Sequence, residues 1–353
     1  MNPSLRSLTQ LIFIALVATA PGASAQTTPT WTADDVTKAT GREACGQVVA
    51  LPKRLPRAYN LTFINPNKGH PFFGVWSQGM KDAAKFYKAN FYEADAAGDA
   101  AKIPDLFETL LVRKPSAIGT GGQGPDVLDG IGARAQDLNL PFVGIDNGPN
   151  EYIPYNYGIS DAFAGRLGAE NLVKAVQARQ QTDWKGKELF FVEFTYKPAT
   201  ACVTRTGAAA KTFKSAMKLD DKHVLMVDPS TGQNAADGMK AILAAHPNAV
   251  FAMIPCWDGL GFEPYNAAKD AGREKDVALF TLGGDKPSAD LLKTKPVGYV
   301  GYLEFQPYCE GWGWVETSLG ILTGRTLKPY QTRRITLQAD IAKRYADLYG
   351  TGK

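Results

Sequence analysis

The chain has 353 residues, with 39 Lys and Arg against 35 Asp and Glu, and a formal net charge of +4. Its basic residues are dispersed, which argues against nucleic acid or an anionic membrane as the principal partner. The length suits two globular domains, each with its own core.

Residues 1–25 read as a cleaved export signal. Arg6 supplies a positive start, LIFIALVATA an apolar run, and Ala23-Ser24-Ala25 the small-residue pattern before a cleavage site. The apolar run is shorter than the roughly 20 residues of a spanning helix, and no basic cluster follows it. No Cys stands after the cleavage site, so lipid attachment is not expected there. Residues 26–57 are polar and weakly patterned, an N-terminal extension.

From residue 58 short apolar runs alternate with amphipathic stretches. In order come the strand NLTFI, a helix through GVWSQGMKDAAKFYKA, the strand NFYEA, a helix around IPDLFETLLVR, the strand SAIGT, a helix in DVLDGIGARAQDL and the strand PFVGID. The second half repeats the rhythm: ELFFVEF, AAAKTFKSAM, HVLMVD, NAADGMKAILAAH, AVFAMI, LGFEPYNAAKDAG and VALFTLGG. Strand and helix alternating at this spacing predict parallel sheets covered on both faces by helices. Ligands of such sheets gather beyond the C-terminal strand ends. The loops to search therefore run over 65–73, 95–99, 119–126, 146–150, 195–205, 228–234, 255–258 and 283–287. Many of their residues are Asp, Asn, Gln or aromatic, a mixture suited to one small polar molecule.

Several segments in this order resemble the periplasmic sugar-binding proteins of the ribose and galactose type: GHPFFGVWSQGMKDAAK, LNLPFVGIDNG, YGISDAFAGRLGAENL, AVFAMIPCWDGLGFEPYNAAKDAG and GYLEFQPYCEGWGWVE. The resemblance covers about residues 58–335. It implies an α/β fold of two Rossmann-like lobes with parallel sheets, joined by a three-segment hinge, the type I periplasmic binding protein. On that basis the N-terminal lobe takes residues 58–159 plus 306–333, and the C-terminal lobe 160–305 plus 334–353. The implied protein is a soluble periplasmic monomer that closes on a small ligand and delivers it to the membrane permease of an ABC importer, with a chemoreceptor or sensor as a further partner. No cofactor or metal is implied.

Residue by residue, the resemblance places Phe72, Phe73 and Asp146 on the ligand. His70 stands where Asn is usual, and Asn147 where Arg commonly follows the Asp. In the second lobe Trp257 and Asp258 replace an Asn-Asp pair, the GGDKP loop keeps Asp285, and the expected Gln falls on Phe305 between Glu304 and Gln306. These departures imply a cleft richer in aromatic wall than a ribose site, leaving a modified sugar, a polyol or a less polar molecule open. Gln123 and Arg205 complete the candidate set.

Each candidate has a plainer alternative. Trp76 reads as core. GTGGQGPD lacks the Lys-Ser/Thr ending of a phosphate loop and reads as a tight strand-end turn. Asp258 and Asp285 stand equally well as helix N-caps, and Arg205 as an ordinary surface charge. Four cysteines permit two disulfides in three connectivities. Cys202–Cys256 with Cys45–Cys309 is preferred because it keeps each bridge within one lobe, reduced buried thiols being the alternative. Only three histidines occur, none in a nucleophile or metal motif, so catalysis is not expected.

Overall fold

The computed structural model describes residues 45–46, 48–147, 150–327, 330–332 and 336–338. The export signal and most of the extension lie outside the described residues, as does the end of the chain assigned to the second lobe apart from residues 336–338.

Two six-stranded sheets organise the chain. The first contains β1 (Asn60–Asn65), β2 (Asn90–Asp95), β3 (Ala117–Gly121), β4 (Phe142–Ile145), β5 (Tyr155–Gly158) and β11 (Tyr330–Thr332), in the order β11-β5-β4-β3-β1-β2 with every pair parallel. The second contains β6 (Leu189–Phe194), β7 (Val224–Val227), β8 (Val250–Pro255), β9 (Val277–Gly283), β10 (Tyr299–Glu304) and β12 (Thr336–Gln338), in the order β12-β10-β9-β8-β6-β7. Its β12 departs from the all-parallel expectation by pairing antiparallel with β10. The chain passes between the sheets after β5, after β10, and between β11 and β12.

The helices are α1 (Pro71–Tyr87), α2 (Ile103–Leu111), α3 (Pro125–Asp137), α4 (Asp161–Gln180), α5 (Thr200–Met217), α6 (Ala235–Ala245), α7 (Asp258–Asp270), α8 (Lys286–Thr294) and α9 (Pro307–Leu322). They cover both faces of each sheet, which is why β3, β6, β8 and β9 are buried along their whole length. Each lobe accordingly has two apolar layers. In the first, Phe63, Trp76 and Trp314 lie on one face and Ile64, Phe107 and Ile118 on the other. In the second, Phe251 and Met253 lie on one face and Phe191, Phe213 and Phe280 on the other.

The aromatic turn after β1 is also a helix start. His70 caps α1 by accepting the Phe72 N–H on Nδ1 at 3.2 Å, Pro71 fits the first turn, and Lys88 ends the helix in the left-handed region. Cys45 is bonded to Cys309 and Cys202 to Cys256. Just past Cys45, the Val48 and Val49 amides donate to Glu316 Oε2 at 2.7 and 3.3 Å, fastening the described end of the extension to α9.

Candidate ligand cavity between the sheets

The C-terminal ends of both sets of strands face one cavity of about 430 Å3. One wall comes from the segments after β1, β2, β3 and β4, the other from those after β6, β8, β9 and β10. His70, Phe72, Phe73, Gln123, Asp146, Arg205, Trp257, Asp258, Asp285 and Phe305 all line it.

A train of rings crosses the cavity from one lobe to the other. Phe73 lies 4.8 Å from Trp76, Trp76 lies 5.4 Å from Phe72, and Phe72 meets Phe305 edge-on at 6.4 Å between centroids. Trp76 is fully buried, as a core residue is, yet it also lines the cavity and donates its indole N–H to Glu310 Oε2 at 2.6 Å. The Arg205 guanidinium sits 4.7 Å over the Phe305 ring. Tyr196 and Trp257 add a T-shaped pair at 6.0 Å on the second-lobe side.

Arg205 is no surface charge. It is buried, its Nε and Nη2 grip Asp161 Oδ1 at 3.0 and 2.6 Å, and its Nη1 donates to the Cys256 carbonyl at 2.6 Å. Cys202, one turn before it, and Cys256 both line the cavity, so the disulfide ties α5 to the loop carrying Trp257 and Asp258. His70 keeps Nδ1 as an acceptor for its own helix, and burial lowers its pKa, so a neutral ring leaves Nε2–H as donor.

The aspartates differ in their fastening. Asp146 holds a left-handed backbone (φ 49°) and accepts the Ile159 N–H on Oδ1 at 3.2 Å. Burial first, then the nearby Asp161 carboxylate, push it up to about 7 against the pull of Arg205. Asp258 opens α7, but its Oδ2 reaches across to the Gly284 and Asp285 amides at 2.5 and 2.7 Å. Asp285 stands at the N-cap of α8 and makes no side-chain cap bond. Burial, then the Asp258 charge, push its carboxyl up to about 8.

Three candidates do not line the cavity. Asn147 is wholly buried beneath the β3–α3 loop, accepting the Gln123 N–H at 3.1 Å and donating to the Thr120 carbonyl at 3.1 Å, so it props Gln123 rather than facing the space. Glu304 is buried under the β9–α8 turn, packed against Gly284. Gln306, in the left-handed region, turns the chain into α9. The 228–234 loop is absent from the lining as well, because it leaves the edge strand β7. Tyr196, Pro198 and Asp126 line the cavity without having been singled out, although each lies inside a loop that strand order marks for search. Among the described residues no group of His, Cys, Asp or Glu gathers to hold a metal, and no helix is long and apolar enough to cross a membrane.

Two helix-covered parallel-sheet lobes closing on a shared ring-walled cavity define a protein that binds by enclosure. The chain belongs to the periplasmic binding protein family, whose domain matches residues 61–325. The D-apiose import binding protein of Actinobacillus succinogenes is 24% identical over 230 residues, 64% of this chain and 70% of that protein. An ABC transporter solute-binding protein from Agrobacterium vitis with bound allitol superposes with a TM-score of 0.68 at 21% identity, over 82% of this chain and 97% of that one. Another, from Bacillus halodurans C-125 with bound myo-inositol, gives 0.69 at 14% identity, over 84% and 100%. At these identities the likeness to solved structures establishes the fold.

Proposed function

We propose that the chain is the exported solute-binding component of an ABC importer and that it captures a sugar or polyol by closure of its two lobes. The observation that carries this is the cavity: about 430 Å3, within the range of about 300–1,000 Å3 usual for small-molecule sites, and lined by both lobes at once. Phe72 and Phe73 on one side and Trp257 and Phe305 on the other offer flat apolar faces to the C–H surface of a ring, while Asp146 and Asp285 accept hydrogen bonds from hydroxyls. A ligand bound to the open form touches one lobe; the contacts with the second are gained only on shutting, so its binding shifts the population toward the closed shape. The relatives named for D-apiose import, allitol and myo-inositol support the ligand class. A membrane permease reading the closed shape is the partner this requires. The solute leaves unchanged, binding rather than turnover being the task.

The test is calorimetric titration of the purified protein with D-apiose, allitol, myo-inositol, D-allose and D-arabinose, with recovery of the ligand afterwards. At least one should bind and be recovered intact, and Phe72→Ala should weaken it by about tenfold or more, the loss of one buried ring face. Absence of binding across sugars and polyols would reject the reading.

A further inference from the structure

Asp285 is at the position where aspartate ordinarily turns back to accept an amide from its own helix, and it does not do so. Its carboxyl accepts no hydrogen bond among the described residues, lines the cavity, and is only 9% exposed. The adjacent Asp258 is wholly buried, with Oδ2 already committed to the Gly284 and Asp285 amides. Among the described lining residues no free cation answers this pair. The one arginine in the lining, Arg205, is spent on Asp161 and the Cys256 carbonyl, and His70 is held toward neutrality by burial. Four aspartates (Asp126, Asp146, Asp258 and Asp285) stand in the lining against that single, already neutralised guanidinium. Trp257, immediately before Asp258, brings an indole to the same side of the cavity, with Tyr196 edge-on to it. Burial keeps the Asp285 carboxyl protonated in the empty cavity, so an ammonium guest docks as that proton leaves to solvent, and the ion pair so formed is held by charge and by the quadrupoles of the neighbouring rings.

We propose that the guest carries an ammonium group, that this group seats on Asp285 beside Asp258, and that the preferred ligand is an amino sugar or aminated polyol. This rests on the solute-capture reading and narrows its ligand class. An acidic sugar is disfavoured by the same arrangement, since its carboxylate loses its hydration and finds no uncommitted cation among the described lining residues.

The experiment uses one set differing in charge at a single carbon, D-glucamine, D-sorbitol and D-gluconate, and one ring set, D-glucosamine with its amine at C2, D-glucose, and D-glucuronate with its carboxylate at C6. Affinities are measured by calorimetry at one pH on the wild-type protein and on Asp285→Asn. The ammonium member of at least one set should bind about tenfold more tightly than its neutral partner, the difference between a charged and a neutral hydrogen bond, and the acid should not bind. In Asp285→Asn that preference should vanish. The variant should fold, because the wild-type carboxyl accepts no hydrogen bond that the amide would lose, and its melting curve checks this. Neutral members binding as well as or better than ammonium members overturns the inference and leaves solute capture standing. Simple amines binding without any polyol or sugar does the reverse. An undiminished ammonium preference in a folded Asp285→Asn overturns the seat assigned here, and failure of every ammonium compound to bind overturns the inference outright.

Discussion

Asp285 and Asp146 are held protonated at a pH where free carboxyls are charged, and that has a consequence for the empty protein. Their folded pKa values, about 8 and about 7, stand above the ordinary 3.8. A carboxyl raised on folding contributes stability that is complete below its unfolded pKa and is lost as pH climbs through the folded value. The ligand-free protein should therefore melt at falling temperature from pH 5 to pH 8.5, and Asp285→Asn should flatten the slope. A variant with the wild-type slope in scanning fluorimetry would contradict the assignment. Arg205 and Asp161 make a second case, with side chains 7% and 8% exposed. Removing one partner of a buried pair leaves the other charge stranded, so Arg205→Ala should cost about 3 kcal/mol in urea unfolding, and Arg205→Met combined with Asp161→Leu should recover much of it. This pairing was not legible in the sequence. The two residues are separated by 44 positions, and no local spacing joins the start of α4 to the first turns of α5. Arg205 alone reads as a surface charge or a ligand grip, whereas Phe72, Phe73 and Asp146 were singled out by the family resemblance, and the strand ends that periodicity reveals put all three in loops to search, where they line the cavity.

At the scale of elements, the strands and helices with strong period are those the sequence displays: β1, β3, β6, β8 and β9 as largely apolar runs, and α1 and α3 as amphipathic stretches. Less visible were β5, α8 and β10, short or glycine-interrupted, and the first two turns of α5, whose TACVTRT reads as loop until the disulfide and Arg205 give it partners. Helix pairing was hidden for a different reason. On α1 and α9, glycines allow backbone to lie against backbone: a Cβ on Gly79 would stand 1.9 Å from the Tyr308 carbonyl oxygen, and one on Gly311 would stand 2.1 Å from that of Trp76. A glycine inside a helical pattern looks like a weakness when only propensity is considered, and its purpose appears once the partner helix is known. Gly79→Ala should therefore destabilise the protein by about 2 kcal/mol despite alanine's better helix propensity, because the Cβ position is fixed by its own backbone and the atoms it meets are main chain, so neither side can rotate away. Gly130→Ala, on α3 with nothing within 4 Å, should be neutral or stabilising, and chemical denaturation of the two variants side by side separates packing from propensity.

For the whole molecule, the decisive contact is a backbone approach between the lobes. Gly124, the residue capping α3 in the first lobe, lies so close to Pro198 before α5 in the second that a Cβ there would stand 1.9 Å from the Pro198 carbonyl oxygen. Its φ of −95° is open to any residue, so glycine is required by space and not by backbone conformation. The difference from Gly79 lies in what relieves the clash. Within a lobe, two helices joined to the same sheet have nowhere to go. Between lobes connected by three crossing segments, a rigid-body rotation separates the atoms without disturbing either core. Gly124→Ser is the informative change, since serine is at least as good an N-cap as glycine and leaves α3 sound while adding the obstructing carbon. It should leave the melting temperature of the empty protein unchanged or slightly higher, yet weaken the best sugar or polyol found by calorimetry by about tenfold or more, because overpacking penalises only the shut form. X-ray scattering should show wild-type protein contracting on ligand addition and the variant contracting less at equal ligand concentration. A variant that binds and contracts like wild type would mean that shutting does not bring Gly124 against Pro198, and a variant that unfolds at lower temperature would place the contact among the forces holding the empty protein together.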